Sequence, residues 1–417
     1  MSNEFQPLQG MNDLSGTEVL RWQALETIAH KQLACFGFTE LRTPILERSE
    51  VFLRSLGDAT DVVQKEMYAF EDRGGRAISL RPEGTAGVVR HVASLGEEGL
   101  QSKFYYMGPM FRCERPQAGR KRQFHQIGVE AFGEPNPLAD AECIALQVHL
   151  LEAWGLEGVS IRINTRGAKD EHEHVSEGLR SALEPHKNKL CEDSQRRMNE
   201  NELRVIDCKN ERCKTVSQSI PAMLDFLSET SQAYLKDVLE ALRQLGVNAE
   251  YDATLVRGLD YYEHTVWELT HSALGAQNAL AGGGRYAVQM GKKTINGVGF
   301  AVGVERVLAT LEASNKGFSD EMEHQGYWLI SLGEDALKAN MVLAMQLRKK
   351  GLRCGLELNV KSMKAQMRKA ARFGAAYALI RGDNELKAGQ IIVKNLKESL
   401  QEECDLQSWL RTHEGEE

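Results

Sequence analysis

The stretch "FRCERPQAGRKRQFHQIGVEAF", residues 111 to 132, opens with Arg112, Arg115, Arg120, Lys121 and Arg122 against one acid in the loop, Glu114, in a chain whose net charge is −8. Positive charge gathered on one short loop of an acidic protein points to an anionic ligand. If the residues after the loop form a strand, Phe124, Gln126, Gly128, Glu130 and Phe132 share one face, and Ile127, Val129 and Ala131 the other. Gln126 and Glu130 then point the same way, toward solvent or toward a ligand. Gly128 between them leaves a floor without a side chain where a ligand could lie. Two further loops are polar in a way that core packing does not explain. "LRPEGTAG" sets Arg81, Glu83 and Thr85 at alternate positions, and "RGLDYYEH" joins Arg257, Asp260, Tyr261 and Tyr262 through Gly258.

The familiar nucleotide loops do not fit. "GGGRYA" satisfies G-x-G-x-x-A, but no βαβ unit surrounds it, and "GKKT" has Tyr286 where a P-loop needs its first glycine. A bound nucleotide must therefore have its phosphates held by arginines. No metal site is expected either: the eight cysteines are scattered, and Cys208 and Cys213, the closest pair, have no second pair to complete a zinc site. "EHEH", Glu171 to His174, sits in a charged stretch that reads as a solvated helix face.

A second concentration of charge lies near the C-terminus, where Ala336 to Arg381 holds eleven Lys and Arg residues and one acid, Glu357. Read as a helix, residues 361 to 373 place Lys361, Lys364, Arg368 and Arg372 along one face. This is either a solvated face or a contact for an anion. Two basic patches on an acidic chain suit a long polyanion held at two points. RNA fits better than a membrane surface, because the stripe is interleaved with Met and Ala rather than with exposed Trp, Phe or Leu.

The elements that must position these residues follow from periodicity. Residues 17 to 36 repeat apolar side chains at helical spacing, and "KFYYMGPMF" and "FHQIGVEAF" flank the basic loop as an antiparallel hairpin. Residues 165 to 250 are polar and mostly helical, as an insertion would be, with an amphipathic helix over roughly 230 to 245. "GVGFAVGVERVLATLEA" reads as a strand running into a helix. After Gly317, strand and helix signals alternate, which implies a separate small α/β domain. With 417 residues, 42% of them hydrophobic, no run long enough to span a bilayer and no secretory signal, the chain reads as a cytoplasmic globular protein.

The hairpin resembles motif 2 of the class II aminoacyl-tRNA synthetases, "GFTELRTPILERSEVF" resembles motif 1, and "GVGFAVGVERVLATL" resembles motif 3. "LRPEGTAG", "VRGLDYYEHTVWEL" and "GGGRY" are similar to signatures of the histidyl-tRNA synthetase family within that class, over nearly the whole chain. The resemblance implies an α+β fold: a six- to seven-stranded antiparallel sheet flanked by helices in a catalytic domain over 1–320, a helical insertion at about 168–245, and an α/β anticodon-binding domain over 321–417. It implies a homodimer and a two-step reaction. Histidine attacks ATP, which arrives with Mg2+, to give an adenylate and pyrophosphate, and the histidine then passes to the end of tRNA(His).

By the same resemblance Arg257 and Arg112 are catalytic, with Arg112, Glu114 and Arg306 holding ATP. Glu83, Thr85, Gln126, Glu130, Tyr262 and Tyr286 bind histidine. Arg115, Gln117 and Arg120 approach the acceptor end of the tRNA, and Lys361, Lys364, Arg368 and Arg372 lie in the anticodon-binding domain. The chain departs from the family pattern after Tyr286, where "RYAVQMGKKTING" lacks the usual Asp-Gly, at "NTRG" over 164 to 167, and at Gln9. The rival reading is a silent paralogue, a regulatory subunit of a phosphoribosyltransferase of histidine biosynthesis.

Overall fold

A computed structural model of the chain describes residues 5–57, 60, 62–114, 120–198, 201–257, 261–314 and 326–412. The chain divides into two compact units, whose main segments are Trp22–Gly317 and Phe318–Glu417. Among the described residues no helix is long and apolar enough to cross a membrane.

The first unit is organised by a sheet in the order Thr39–Glu40, Lys103–Phe111, Gln123–Phe132, Lys293–Gly303, Ala279–Met290, Tyr262–Thr270, Ser160–Thr165, Glu250–Tyr251. It has eight strands rather than six or seven, and it is mixed. The two-residue strands at its edges pair in parallel, while every inner pair is antiparallel. Segments of two residues carry too little periodic signal to be read from a sequence.

The central strands are largely buried, and they carry polar as well as apolar side chains. Arg285 and Tyr286 show the division, because neighbours on a strand point to opposite faces. On one side Tyr286 joins Val88, Val89 and Val92 of the helix Thr85–Leu95. On the other, Arg285 meets Asp140 of the helix Pro137–Ala153, with guanidinium nitrogens 2.6 and 2.7 Å from the carboxylate. Asn136 starts that helix by accepting the Leu138 N–H, and Pro137 occupies its first turn, where a missing N–H costs nothing. A smaller antiparallel sheet, in the order Leu46–Arg48, Ala77–Leu80, Ala69–Glu71, belongs to the same unit.

The insertion is helical, with His172–Leu183, Glu192–Arg197, Leu203–Ile206 and Glu211–Ser217 around two small apolar clusters, followed by Glu229–Gln244. Tyr234 of this last helix reaches the main core, donating to Asp140 at 3.0 Å. Glu171 of "EHEH" serves as a cap, accepting from the backbone N–H groups of Ala168 and Ser228 and from the Ser231 hydroxyl.

The second unit has a five-stranded sheet in the order Cys354–Leu356, Tyr327–Leu332, Tyr377–Gly382, Gln390–Asn395, Gln401–Asp405, parallel across the first three strands and antiparallel beyond. Its basic helix is Met363–Phe373, capped by Ser362 at the start and closed by the left-handed Gly374. Lys361 therefore lies before the helix, not on its face: the Ser362 hydroxyl competes for the first free N–H groups and ends the segment there. Lys364, Arg368 and Arg372 are exposed on the helix. Lys369 is paired with Glu357.

Candidate active site

Two adjoining cavities open on one face of the large sheet. The smaller, of about 70 Å³, is lined by Glu83, Thr85, Glu130, Tyr262 and Tyr286. The larger, of about 240 Å³, is lined by Glu114, Arg120 and Arg306 among others. Arg112, Gln126 and Arg257 line both. A molecule spanning the two would pass directly beside these three side chains.

Glu130 forms the buried end of the small cavity, where it accepts the Thr85 hydroxyl at 2.6 Å and the Tyr286 hydroxyl at 2.7 Å. Burial pushes its carboxyl up to about 8, against the pull of those two hydroxyls. Room for it comes from Gly299 on the neighbouring strand, where any Cβ would overlap the Glu130 carboxylate. Gly282 does the same for Arg257, whose Nη1 lies 2.6 Å from the position a Cβ would take. The glycines of "GGGRY" and "GVGF" thus clear space for neighbouring side chains, Gly282 and Gly299 for the charged Arg257 and Glu130 and Gly283, Gly284 and Gly297 for the rings of Trp267, Tyr262 and Tyr286.

Gly128 has a different function from the floor expected of it. The Tyr106 ring fills the space above it, packed so closely that a Cβ there would overlap the phenol. Tyr106 is a pocket residue that sequence reasoning missed. The signal is the pairing of Tyr106 with Gly128 across the hairpin, which cannot be seen before the register is known.

Glu83 anchors the start of the helix Thr85–Leu95, its two oxygens accepting the N–H groups of Thr85 at 2.7 Å and Ala86 at 2.8 Å. Burial raises its carboxyl above the usual range, while those N–H groups and Arg112 oppose the shift. Arg81, beside it, is a structural tie: it donates to the carbonyls of Pro109 and Thr43. Gln126 and Glu130 share one face, as the alternation predicts, and that face lines the small cavity rather than meeting solvent; the buried Gln126 Oε1 has no partner among the described residues. An unsatisfied buried acceptor in a cavity wall awaits a donor from a ligand.

The arginines are held by short local contacts. Arg112 donates from Nε to the Pro82 carbonyl at 2.9 Å and lies over the Phe124 ring, which leaves its terminal nitrogens toward the cavities. Arg257 donates to Glu268 at 3.3 Å, and Glu268 is bound in turn by Arg162. Arg306 donates to the Ala279 carbonyl. Glu114 accepts from Arg120 at 3.2 Å. Arg122 is structural, donating from Nε to the Glu114 carbonyl at 3.2 Å, whereas Lys121 lines the large cavity. Arg115 and Gln117 lie outside the described residues, as do Gly258 to Asp260.

The departure after Tyr286 takes a simple form. The strand continues to Met290, turns at Gly291 with φ of 64°, and returns from Lys293, with Met290 paired to Lys293. Tyr286 is therefore fixed within a continuous hairpin and 1% exposed. Its position is set by sheet register.

An expected outcome follows for Glu130. Its folded value lies above that of an unfolded glutamate, so folding favours the protonated form. Stability is held at low pH and lost as pH rises from the ordinary glutamate range through about 8. Glu130→Gln should remove this slope in denaturant midpoints measured across pH. If the imidazole of histidine binds this carboxyl, the same change should raise the KM for histidine by roughly 3- to 10-fold, the net worth of one hydrogen bond. An unchanged KM would place the ligand's ring elsewhere.

Comparisons with known proteins agree with this geometry. Residues 10–307 match the family model described as histidyl-tRNA synthetase, and residues 328–412 match that of an anticodon binding domain. Histidine-tRNA ligase of Halothermothrix orenii is 44% identical over 404 residues, covering 95% of this chain and 96% of that protein. That of Anoxybacillus flavithermus is 41% identical over 415 residues, covering 97% and 98%. The crystal structure of apo histidyl-tRNA synthetase from S. aureus superposes with a TM-score of 0.79 at 32% identity, covering 98% of this chain and all of that one. With a family model spanning most of its length and relatives matched nearly end to end, the chain belongs to the histidyl-tRNA synthetase family.

Proposed function

We infer that the protein is a histidine-tRNA ligase. It activates L-histidine with ATP to histidyl-adenylate and pyrophosphate, then transfers histidine to the 3′ end of tRNA(His), releasing AMP. The observation that carries this reading is the pair of cavities sharing Arg112, Gln126 and Arg257: a closed polar pocket joined to a wider basic one.

Histidine occupies the small cavity, with its ring between Glu130, Tyr262 and Tyr286 and its α-amino group toward Glu83, Thr85 and Gln126. A buried pocket of this kind rejects side chains that leave its polar groups unpaired. ATP occupies the large cavity, with Arg306 on the terminal phosphates, Arg112 on the α-phosphate and Glu114 near the adenine. A carboxylate oxygen of histidine attacks the α-phosphorus, and the bond to the β-phosphate oxygen breaks. Its electron pair leaves with pyrophosphate. Two anions approach in this step, and Arg112 and Arg257 offset the charge gathering between them. A ribose hydroxyl of the tRNA then attacks the histidyl carbonyl and AMP departs. Mg2+ accompanies ATP as part of the substrate.

The first 320 residues form the catalytic domain in this reading and 321–417 bind the anticodon. In this reading Arg115, Gln117 and Arg120 bind the acceptor end of the tRNA. The protein acts in the cytoplasm as a homodimer. The small sheet around the segment that resembles motif 1 supports the dimer, because Ile45, Leu46 and Phe70 are 42, 46 and 50% exposed there and would be covered by a second copy. The regulatory-subunit reading has less support, since the chain keeps the three arginines and matches the anticodon-binding model.

Histidine-dependent exchange of pyrophosphate into ATP tests the first step. For the second, joint replacement of Lys361, Lys364, Arg368 and Arg372 by alanine should raise the KM for tRNA roughly tenfold or more and flatten its salt dependence, leaving exchange unaltered. Unaltered tRNA kinetics would make these residues a solvated face.

A further inference from the structure

Three thiols from successive short elements meet in the insertion. Cys191 precedes the helix Glu192–Arg197, Cys208 follows Leu203–Ile206, and Cys213 lies within Glu211–Ser217. All are unbridged, and their sulfurs lie within 4.8 Å of one another, Cys191 and Cys208 being 3.8 Å apart. The fully buried Ser194 hydroxyl is 3.3 Å from the Cys191 sulfur and 3.4 Å from that of Cys213. The Cys191 N–H donates to the Cys213 sulfur at 3.3 Å.

These distances suit a coordination shell. Sulfurs held about 2.3 Å from zinc at tetrahedral angles are about 3.8 Å apart, whereas a disulfide would draw them to about 2.05 Å. A backbone N–H donated to a ligating sulfur orients it as second-shell partners of metals do. The spacing agrees once the fold supplies the missing half. Cys208 and Cys213 have four residues between them, within the range of zinc-binding pairs, and Cys191 is followed three positions later by Ser194, where a second pair would place its other thiol.

Packing alone explains part of the cluster. Cys213 is buried among Leu183, Leu190 and Val216, as a small apolar residue would be. Packing does not explain why the half-buried Cys191 and Cys208 also direct their sulfurs to one point beside a buried hydroxyl. The lobe is built from helices of six, four and seven residues, too short to be stable without tertiary support, around a small core. A structural metal supplies what such a core lacks.

We propose that Cys191, Cys208 and Cys213 bind one zinc ion as a structural site of the insertion, with Ser194 or a water completing the tetrahedron. The thiols bind as thiolates and release their protons to solvent, with no change of oxidation state.

Cobalt(II) titration of reduced, metal-free, full-length protein reads the site directly. One equivalent per chain should give thiolate-to-cobalt charge-transfer absorption with tetrahedral d–d bands, and zinc(II) should displace it. Cys208→Ser should weaken binding roughly tenfold or more, and Ser194→Cys should tighten it by completing four thiolates. Joint replacement of the exposed Cys35 and Cys113 by serine should change nothing, and circular dichroism of each variant controls for folding. The proposal is overturned if folded, reduced protein gives no such absorption, or if Cys208→Ser leaves it intact. A Cys191–Cys208 disulfide in freshly isolated protein, seen as a loss of two hydrogens by mass, would overturn it as well.

Discussion

Arg257→Ala should lower the rate of histidine-dependent pyrophosphate exchange roughly 10²- to 10³-fold, the cost of removing one fixed donor from a developing charge. Its effect on the Kd for histidine should be small. The expectation rests on position: Arg257 lines both cavities, at the junction where a carboxylate in one would meet a phosphate in the other. Gly282 clears its path and Glu268 holds its terminal nitrogen. A group that stabilises only the transition state lowers kcat and kcat/KM alike, whereas one that merely binds substrate raises KM. Arg257→Lys should recover little, because an ammonium cannot reproduce a planar fork of donors. Equal losses in histidine binding and in rate would reduce Arg257 to a positioning residue.

Asp140→Ala should destabilise the first unit by about 3–5 kcal/mol, measured from the denaturant midpoint of its unfolding transition. Asp140 and Arg285 are 0 and 1% exposed at the side chain. Thr265 donates to Asp140 at 2.6 Å and Tyr234 at 3.0 Å, so three side chains, Arg285 and Thr265 from two strands and Tyr234 from the insertion, meet at one carboxylate of the helix layer. Removing it leaves the Arg285 charge buried without compensation. A double replacement, Asp140→Leu with Arg285→Met, should recover much of the loss, since an apolar pair of similar volume avoids the desolvation of both ions. Because Arg285 immediately precedes Tyr286, the single change should also weaken histidine binding. A loss below about 1 kcal/mol would mean that water already reaches the pair.

The parts of this molecule legible in its sequence are those whose signals are local. The hairpin strands, the shared face of Gln126 and Glu130, and the amphipathic helices at Thr17–Cys35 and Glu229–Gln244 follow from periodicity, and each stands within a residue or two of its expected place; that the shared face lines a cavity does not follow from it. Features that depend on pairing between distant segments were not legible. Tyr106 enters the site only because the register sets it opposite Gly128, and Glu268 matters only because Arg257 folds back onto it. Asp140 and Arg285 stood out in no local pattern, since a buried ion pair is made by two residues 145 positions apart. In the second unit the short helices Asp383–Ala388 and Leu406–Thr412 and the edge strand Gln401–Asp405 escaped notice because their burial patterns are too brief or too exposed to carry a period. The three thiols of the insertion belong with these: their spacing is half a metal motif, and only the fold brings Cys191 to the other two.

The measurement that bears most directly on the central claim is ATP–pyrophosphate exchange by the folded, full-length protein with each of the twenty amino acids in turn. Exchange with histidine alone, at a rate lowered roughly 10²- to 10³-fold by the loss of Arg257, is the expected result. Exchange with a different amino acid, or none with histidine in protein shown to be folded and to bind ATP, would contradict the assignment of the small cavity and with it the proposed activity.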